Sequence, residues 1–259
     1  MPSKEVTDRQ KSAAAVESSI EAHGEGAGGA LAAQFKGVLR KGESAPDVAF
    51  VLRLFGRLLA RDAATLADAD GRHEAEKADD DAPRAARDEA ATAVRDACVV
   101  ARDGVAAVYG EAALGPLGLA EVAPPVGDGV ALARYAERAA SKLADAKLAL
   151  PKAKARGIAV DRAVLAADIT EQLPALQRSM RDVARERREL EATQSAKNHA
   201  VEQYDATFTL TANVTSAVLR AAGMSDLADR VRPSARRPGR TEAEPAEPTE
   251  PAQPNGPTG

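Results

Sequence analysis

The sequence predicts an all-α fold: an antiparallel helical bundle with one very long, coiled-coil-like C-terminal helix. Two observations predict the class. Sixty of the 259 residues are alanine, the strongest helix former, because it loses no side-chain entropy on ordering. From Ile169 to Ala222, sixteen positions alternate three and four apart without a gap, and eleven of them are apolar. That spacing holds a seam against a partner over many turns. β-branched residues seldom form alternating runs and Trp is absent, so nothing reads as a strand-rich fold.

Leu, Ile, Val and Phe together number only 48, so the core has to be thin and close-packed. That share borders on disorder, but the high net charge that usually accompanies disorder is missing: the balance is −4. The longest apolar runs fall far short of the ~20 residues a bilayer requires, and Met1 to Gly29 holds no secretory apolar stretch. A cytoplasmic protein is expected. Cys98, the single cysteine, allows no intramolecular disulfide or Cys-based zinc site and reads as a packing thiol.

Residues 1–43 read as weakly helical and flexible, two segments joined by the Gly-rich His23-Gly24-Glu25-Gly26-Ala27-Gly28-Gly29. The bundle is expected over 44–233. Its first helix opens on Ser44 as N-cap with Pro46 near the first turn, carries Val48, Leu52, Phe55, Leu59 and Leu66 on one stripe, and ends near Ala78. Asp79-Asp80-Asp81 and Pro83 predict a turn, then a helix to about Tyr109 whose inner face is mostly small: Ala90, Val94, Ala97, Cys98, Ala101, Val105 and Val108. Glycines and prolines interrupt residues 110–127, a loop too long for a plain bundle connection and suited to lying across a bundle end. Asp128 caps a helix to about Leu148, and a basic connector follows.

The long helix runs from Asp161 to Ala222, about 93 Å at ~1.5 Å per residue, with Gly223 as its stop. Shorter helices of about 32 to 50 Å cannot cover it alone, so its halves are expected to pack on different helices or part of it to project. Pro174 is expected to kink it without breaking the seam. Ser225 to Pro233 form a last short turn, and residues 234–259, rich in Pro and Glu with nothing apolar and large, read as a disordered tail.

No catalytic constellation emerges. Asp68-Ala69-Asp70-Gly71 resembles part of a calcium loop, but Leu66 and Lys77 occupy its first and last ligand positions. His73-Glu74 starts like a zinc-binding helix, and Lys77 again stands where the second ligand belongs. The Gly24 to Gly29 stretch follows no strand and lacks the lysine of a phosphate loop. No cofactor, metal or catalytic residue is therefore assigned. Arg181, Arg185, Arg187 and Arg188 are interleaved with acids that pair along the helix, and no aromatic offers base stacking, so nucleic acid is not the expected partner.

The seam is polar in its middle. Arg187, Gln194 and Lys197 sit where apolar residues belong, so the helix there is either bare or set in register by a polar layer or a docking partner. These three, with Tyr204, Thr211 and Thr215 further along, are the candidate interaction residues. The function expected is a non-enzymatic scaffold or protein-interaction protein, acting on a partner or on itself through the long helix. The alternative is a ligand-binding or enzymatic bundle with a pocket near Thr209, Thr211, Asn213 and Thr215.

Overall fold

The computed structural model describes residues 2–79, 81–119, 124–154 and 159–242, and every regular element among them is helical. In chain order these are α1 (Lys4–Phe35), α2 (Val48–Asp79), α3 (Asp81–Tyr109), a 3₁₀ turn at Glu111–Ala113, α4 (Gly129–Ala144), α5 (Arg162–Ala221) and α6 (Ser225–Val231). None of these helices is long and apolar enough to cross a membrane. The chain forms two compact units, 1–75 with 192–259 and 76–191, and each draws on part of α5.

The first unit packs α1, α2 and the C-terminal part of α5, with α6 against them. Its core is Val6, Val16, Ile20, Leu52, Leu59, Leu66, Tyr204, Phe208 and Leu219. The weakly helical segment predicted over 1–43 is instead one 32-residue helix with Ser3 as N-cap, and its inner face belongs to this core. The predicted Gly-rich linker is helix interior, because Gly24 and Gly28 lie one turn apart on the face that meets α2. A Cβ on Gly28 would fall 2.8 Å from the backbone N of Ala49. Close approach offsets the helix cost of glycine.

That contact gives a sharp contrast. Gly29 has nothing within 4 Å of a Cβ, so Gly29→Ala is expected to stabilise the chain by up to about 1 kcal/mol through helix propensity. Gly28→Ala gains the same propensity but forces α1 off α2, a net loss of about 1–3 kcal/mol. Urea denaturation of the two variants reads both signs.

The cap of α2 also differs from the predicted Ser44. Asp47 Oδ1 accepts the Phe50 amide at 2.9 Å, and the helix starts at Val48. α2 runs antiparallel to α1, since Gly24 lies by Leu52 and Gly56 by Ile20.

The second unit packs α3, α4 and the N-terminal part of α5 around Val94, Cys98, Val105, Leu132, Leu143, Ile169 and Leu176. α3 begins at Asp81, two residues before the predicted Pro83, and Asp80 lies outside the described residues. The long loop has a purpose. Its described end, with Pro125 to Gly129, lies beside Arg87–Arg95 in the first half of α3, where α4 begins. On the way it buries Leu114, Leu117 and Leu119 in the core. Asp128 caps α4 as predicted, accepting the Val130 and Ala131 amides at 2.9 and 3.0 Å.

α5 is a single helix of 60 residues with Pro174 inside it. Its two parts meet different helices: Ile169, Leu173 and Leu176 enter the α3–α4 core, and Tyr204, Phe208 and Leu219 the α1–α2 core. No residue from 181 to 199 is fully buried. From Ala200 onward the buried stripe is wider than the predicted seam, adding Ala200, Ala212, Ser216 and Leu219 to the buried seam positions Tyr204, Phe208, Thr211 and Thr215. A straight helix turns about 20° per heptad away from a strict 3.5 repeat, and packing on two neighbours widens the buried face.

The predicted tail is corrected in part. Residues 233–242 fold back on the first unit, with an antiparallel bridge between Pro233 and Thr241 and with Gly239 and Thr241 buried. The backbone is held by Ser234 N donating to Arg240 O and Glu242 N to Arg232 O, both at 2.8 Å. Polar contacts substitute for the large apolar anchor this segment lacks. The remainder of the predicted tail, 243–259, lies outside the described residues.

Candidate functional site

A buried polar arrangement of the first unit lies between α2 and α5. α2 presents Leu52, Leu59 and Leu66 to the core, and the same stripe continues through Asp62, Asp70 and His73, all buried. Burying carboxylates costs several kcal/mol unless each is paired and hydrogen-bonded, and each one is. Asp62 accepts the Thr207 hydroxyl at 2.7 Å, Gln203 Nε2 at 3.2 Å and Arg61 Nε at 2.8 Å. Asp70 meets Lys197 Nζ at 2.7 Å and accepts the Ser3 amide at 2.7 Å. His73 Nδ1 lies 3.3 Å from Thr193 Oγ1.

These pairs run 62 to 207, 70 to 197 and 73 to 193, so they fix an antiparallel register for α2 on α5. Desolvation pushes the Asp70 carboxyl up, but the Lys197 ammonium and the Ser3 amide outweigh it and hold it below the usual carboxylate range. Lys197 is thus the polar seam residue that pairs across to α2.

The other candidates are dispersed. Arg187 is 80% exposed and pairs along its own helix with Glu191 at 3.0 Å, and Gln194 donates to Asn198 at 2.7 Å. Tyr204 is buried, stacked on Phe208 with centroids 5.8 Å apart, and its hydroxyl donates to Arg9 O at 2.6 Å. Thr211 and Thr215 are buried with hydroxyls that find no partner among the described residues, whereas Thr209 and Asn213 are exposed. The Thr-rich group is therefore divided between the core and the surface.

Beside the polar seam a groove of about 430 Å³ opens between Thr65, Asp68, Ala69 and Arg72 of α2 and Ala192, Ala196, His199 and Gln203 of α5. Helical spacing puts further apolar residues on the same faces of the two helices, outside the groove itself. Leu58, Leu54 and Val51 follow Thr65 back along α2 at seven, eleven and fourteen residues, and Leu210 lies seven beyond Gln203 on α5. Val51, Leu54 and Leu210 are 42%, 45% and 50% exposed. Asp62, Asp70 and His73 were missed in the sequence as site residues. Their signal was positional: polar side chains at core spacing on an otherwise apolar stripe.

In the second unit, carboxylate oxygens of Glu76, Glu186 and Glu189 lie within 4.8 Å of one another. Desolvation, then repulsion from Glu189, Glu186 and Asp79, pushes the Glu76 carboxyl up. Arg185 already supplies positive charge there, 3.1 Å from Glu186 and 4.0 Å from Glu189. Burial pushes the Cys98 thiol up to about 11, so it carries almost no thiolate at neutral pH and serves as core packing. No protein-family model, no curated protein and no solved structure matches this chain.

Proposed function

We propose that the chain is a non-enzymatic helical interaction protein, and that the groove between α2 and α5 of the first unit receives an amphipathic helix of a protein partner. One observation carries this reading: the first turns of α2 are apolar on two opposite faces. Leu52 and Leu59 fill the core, whereas Phe50, Val51 and Leu54 stay 42–47% exposed. A single apolar stripe is enough to hold a surface helix in place, so a second one marks a surface built for another element. The alanines that line the groove let a helix approach closely, and the polar seam lies beside it.

The test uses a photo-crosslinking amino acid placed singly at Leu54, Leu210 or Thr209 of the full chain. Thr209 is exposed but about 100° away around α5 from Leu210. Adducts containing a peptide from an amphipathic helix are expected from the first two positions and not from the third. Loss of the Leu54 adduct when Leu210→Glu is added, and of the Leu210 adduct when Leu54→Glu is added, with helical content retained, supports the groove. Equal labelling at all three positions counts against it.

A further inference from the structure

The folded-back segment lies over a cleft whose chemistry is specific to it. α1 contributes Asp8, Arg9 and Ser12, and α5 contributes Tyr204 and Asp205. Arg9 is clamped in place: its Nε and Nη2 donate to the two oxygens of Asp205 at 2.9 and 3.0 Å, and its Nη1 to Glu5 at 2.7 Å. Arg240 then adds a second arginine, 2.8 Å from Asp8, with both side chains largely covered. Thr241 is buried and its amide lies 3.4 Å from Ser12 Oγ. Gly239 O lies 3.3 Å from the Tyr204 hydroxyl.

Gly239 is required for this seat on two grounds. Its φ of +71° is one that residues with a Cβ rarely adopt, and a Cβ there would meet Asp205 Oδ1, Arg9 Nε and Tyr204 Cε1 at 3.0 Å or less. The cleft therefore reads a glycine, then an arginine, then a small buried residue, in an extended turn. The segment buries only Gly239 and Thr241 of its own residues. Contacts that are mostly polar and so little apolar area place it at the low end of local stability.

We propose that residues 233–242 are a displaceable latch over a peptide-recognition cleft, and that the cleft's partner is a Gly-Arg-Thr-like basic turn presented by another chain. This surface lies on α1 and α5 and does not depend on the α2–α5 groove. The latch competes for the cleft at the effective concentration of a tethered segment, on the order of mM. Access from outside is then set by how often it opens.

The probe is a synthetic peptide of residues 232–242, titrated by NMR into the full wild-type chain and into full chains carrying Gly239→Val or Arg240→Glu. Amide exchange of Arg240 and Thr241 reports whether the latch has left. The expected result is release of the latch in both variants, saturable peptide binding to them about ten-fold or more tighter than to wild type, and no binding of a peptide that itself carries Gly239→Val. Retained protection of the latch in the variants would overturn the proposal. So would equal or absent binding across the three chains once the latch is released. The charge-reversal variant keeps the test decisive if the valine variant fails to fold.

Discussion

Lys197→Met is expected to destabilise the first unit by about 3–5 kcal/mol, because it leaves the fully buried Asp70 carboxylate without its cation. Methionine retains most of the lysine stem, so lost packing contributes little. Asp70→Asn in the same background is expected to recover much of that loss, since the double variant buries no uncompensated charge. A four-member urea series (wild type, each single variant, the double) measures the coupling directly. An additive double variant would show that the two groups do not interact.

The same pair sets a pH dependence with a defined sign. Asp70 is held below the ordinary carboxylate value only in the folded chain. Its contribution is therefore complete above about pH 4 and is lost as the pH falls through the depressed folded value. Asp70→Asn is expected to remove that part of the acid sensitivity, which thermal melts between neutral pH and pH 2 would follow.

Phe208→Ala is expected to cost about 3–5 kcal/mol, for it deletes a ring that is fully buried and stacked on Tyr204. Leu210, two positions on, is half exposed. Leu210→Ala is expected to stay within about 0.5 kcal/mol of wild type. The contrast reads the rotation of α5 about its own axis, because a turn of 200° exchanges the two residues. Similar losses at both positions would place the buried face elsewhere.

The helical class and the long helix were legible because they rest on local chemistry. Alanine content, the cap at Asp128, the stop at Gly223 and the three–four alternation all act within a few turns, and Pro174 did not interrupt the register. What was not legible depends on contacts distant in sequence. The glycines of α1 read as a linker because their use, a 2.8 Å approach to Ala49, belongs to another helix. Residues 234–242 read as tail because their anchors, Asp8, Ser12 and Tyr204, lie about two hundred or a few tens of residues away.

The polar seam was half visible. Lys197 stood out at an apolar position on α5, but Asp62 was hidden among the many charges of α2, and Asp70 and His73 were weighed only as metal ligands, since nothing local marks a polar side chain as buried. The widening of the buried stripe beyond a strict heptad from Ala200 onward follows from packing on both α1 and α2, a geometry no single helix encodes.

Backbone assignment of residues 162–221 by NMR tests the central claim, that one unbroken helix serves both cores. Helical ¹³Cα shifts are expected at every assigned position from Arg162 through Ala221, across Pro174 and the exposed Arg181 to Glu191, ending at Gly223. A run of coil shifts inside that span, at the proline or in the exposed middle, would contradict it.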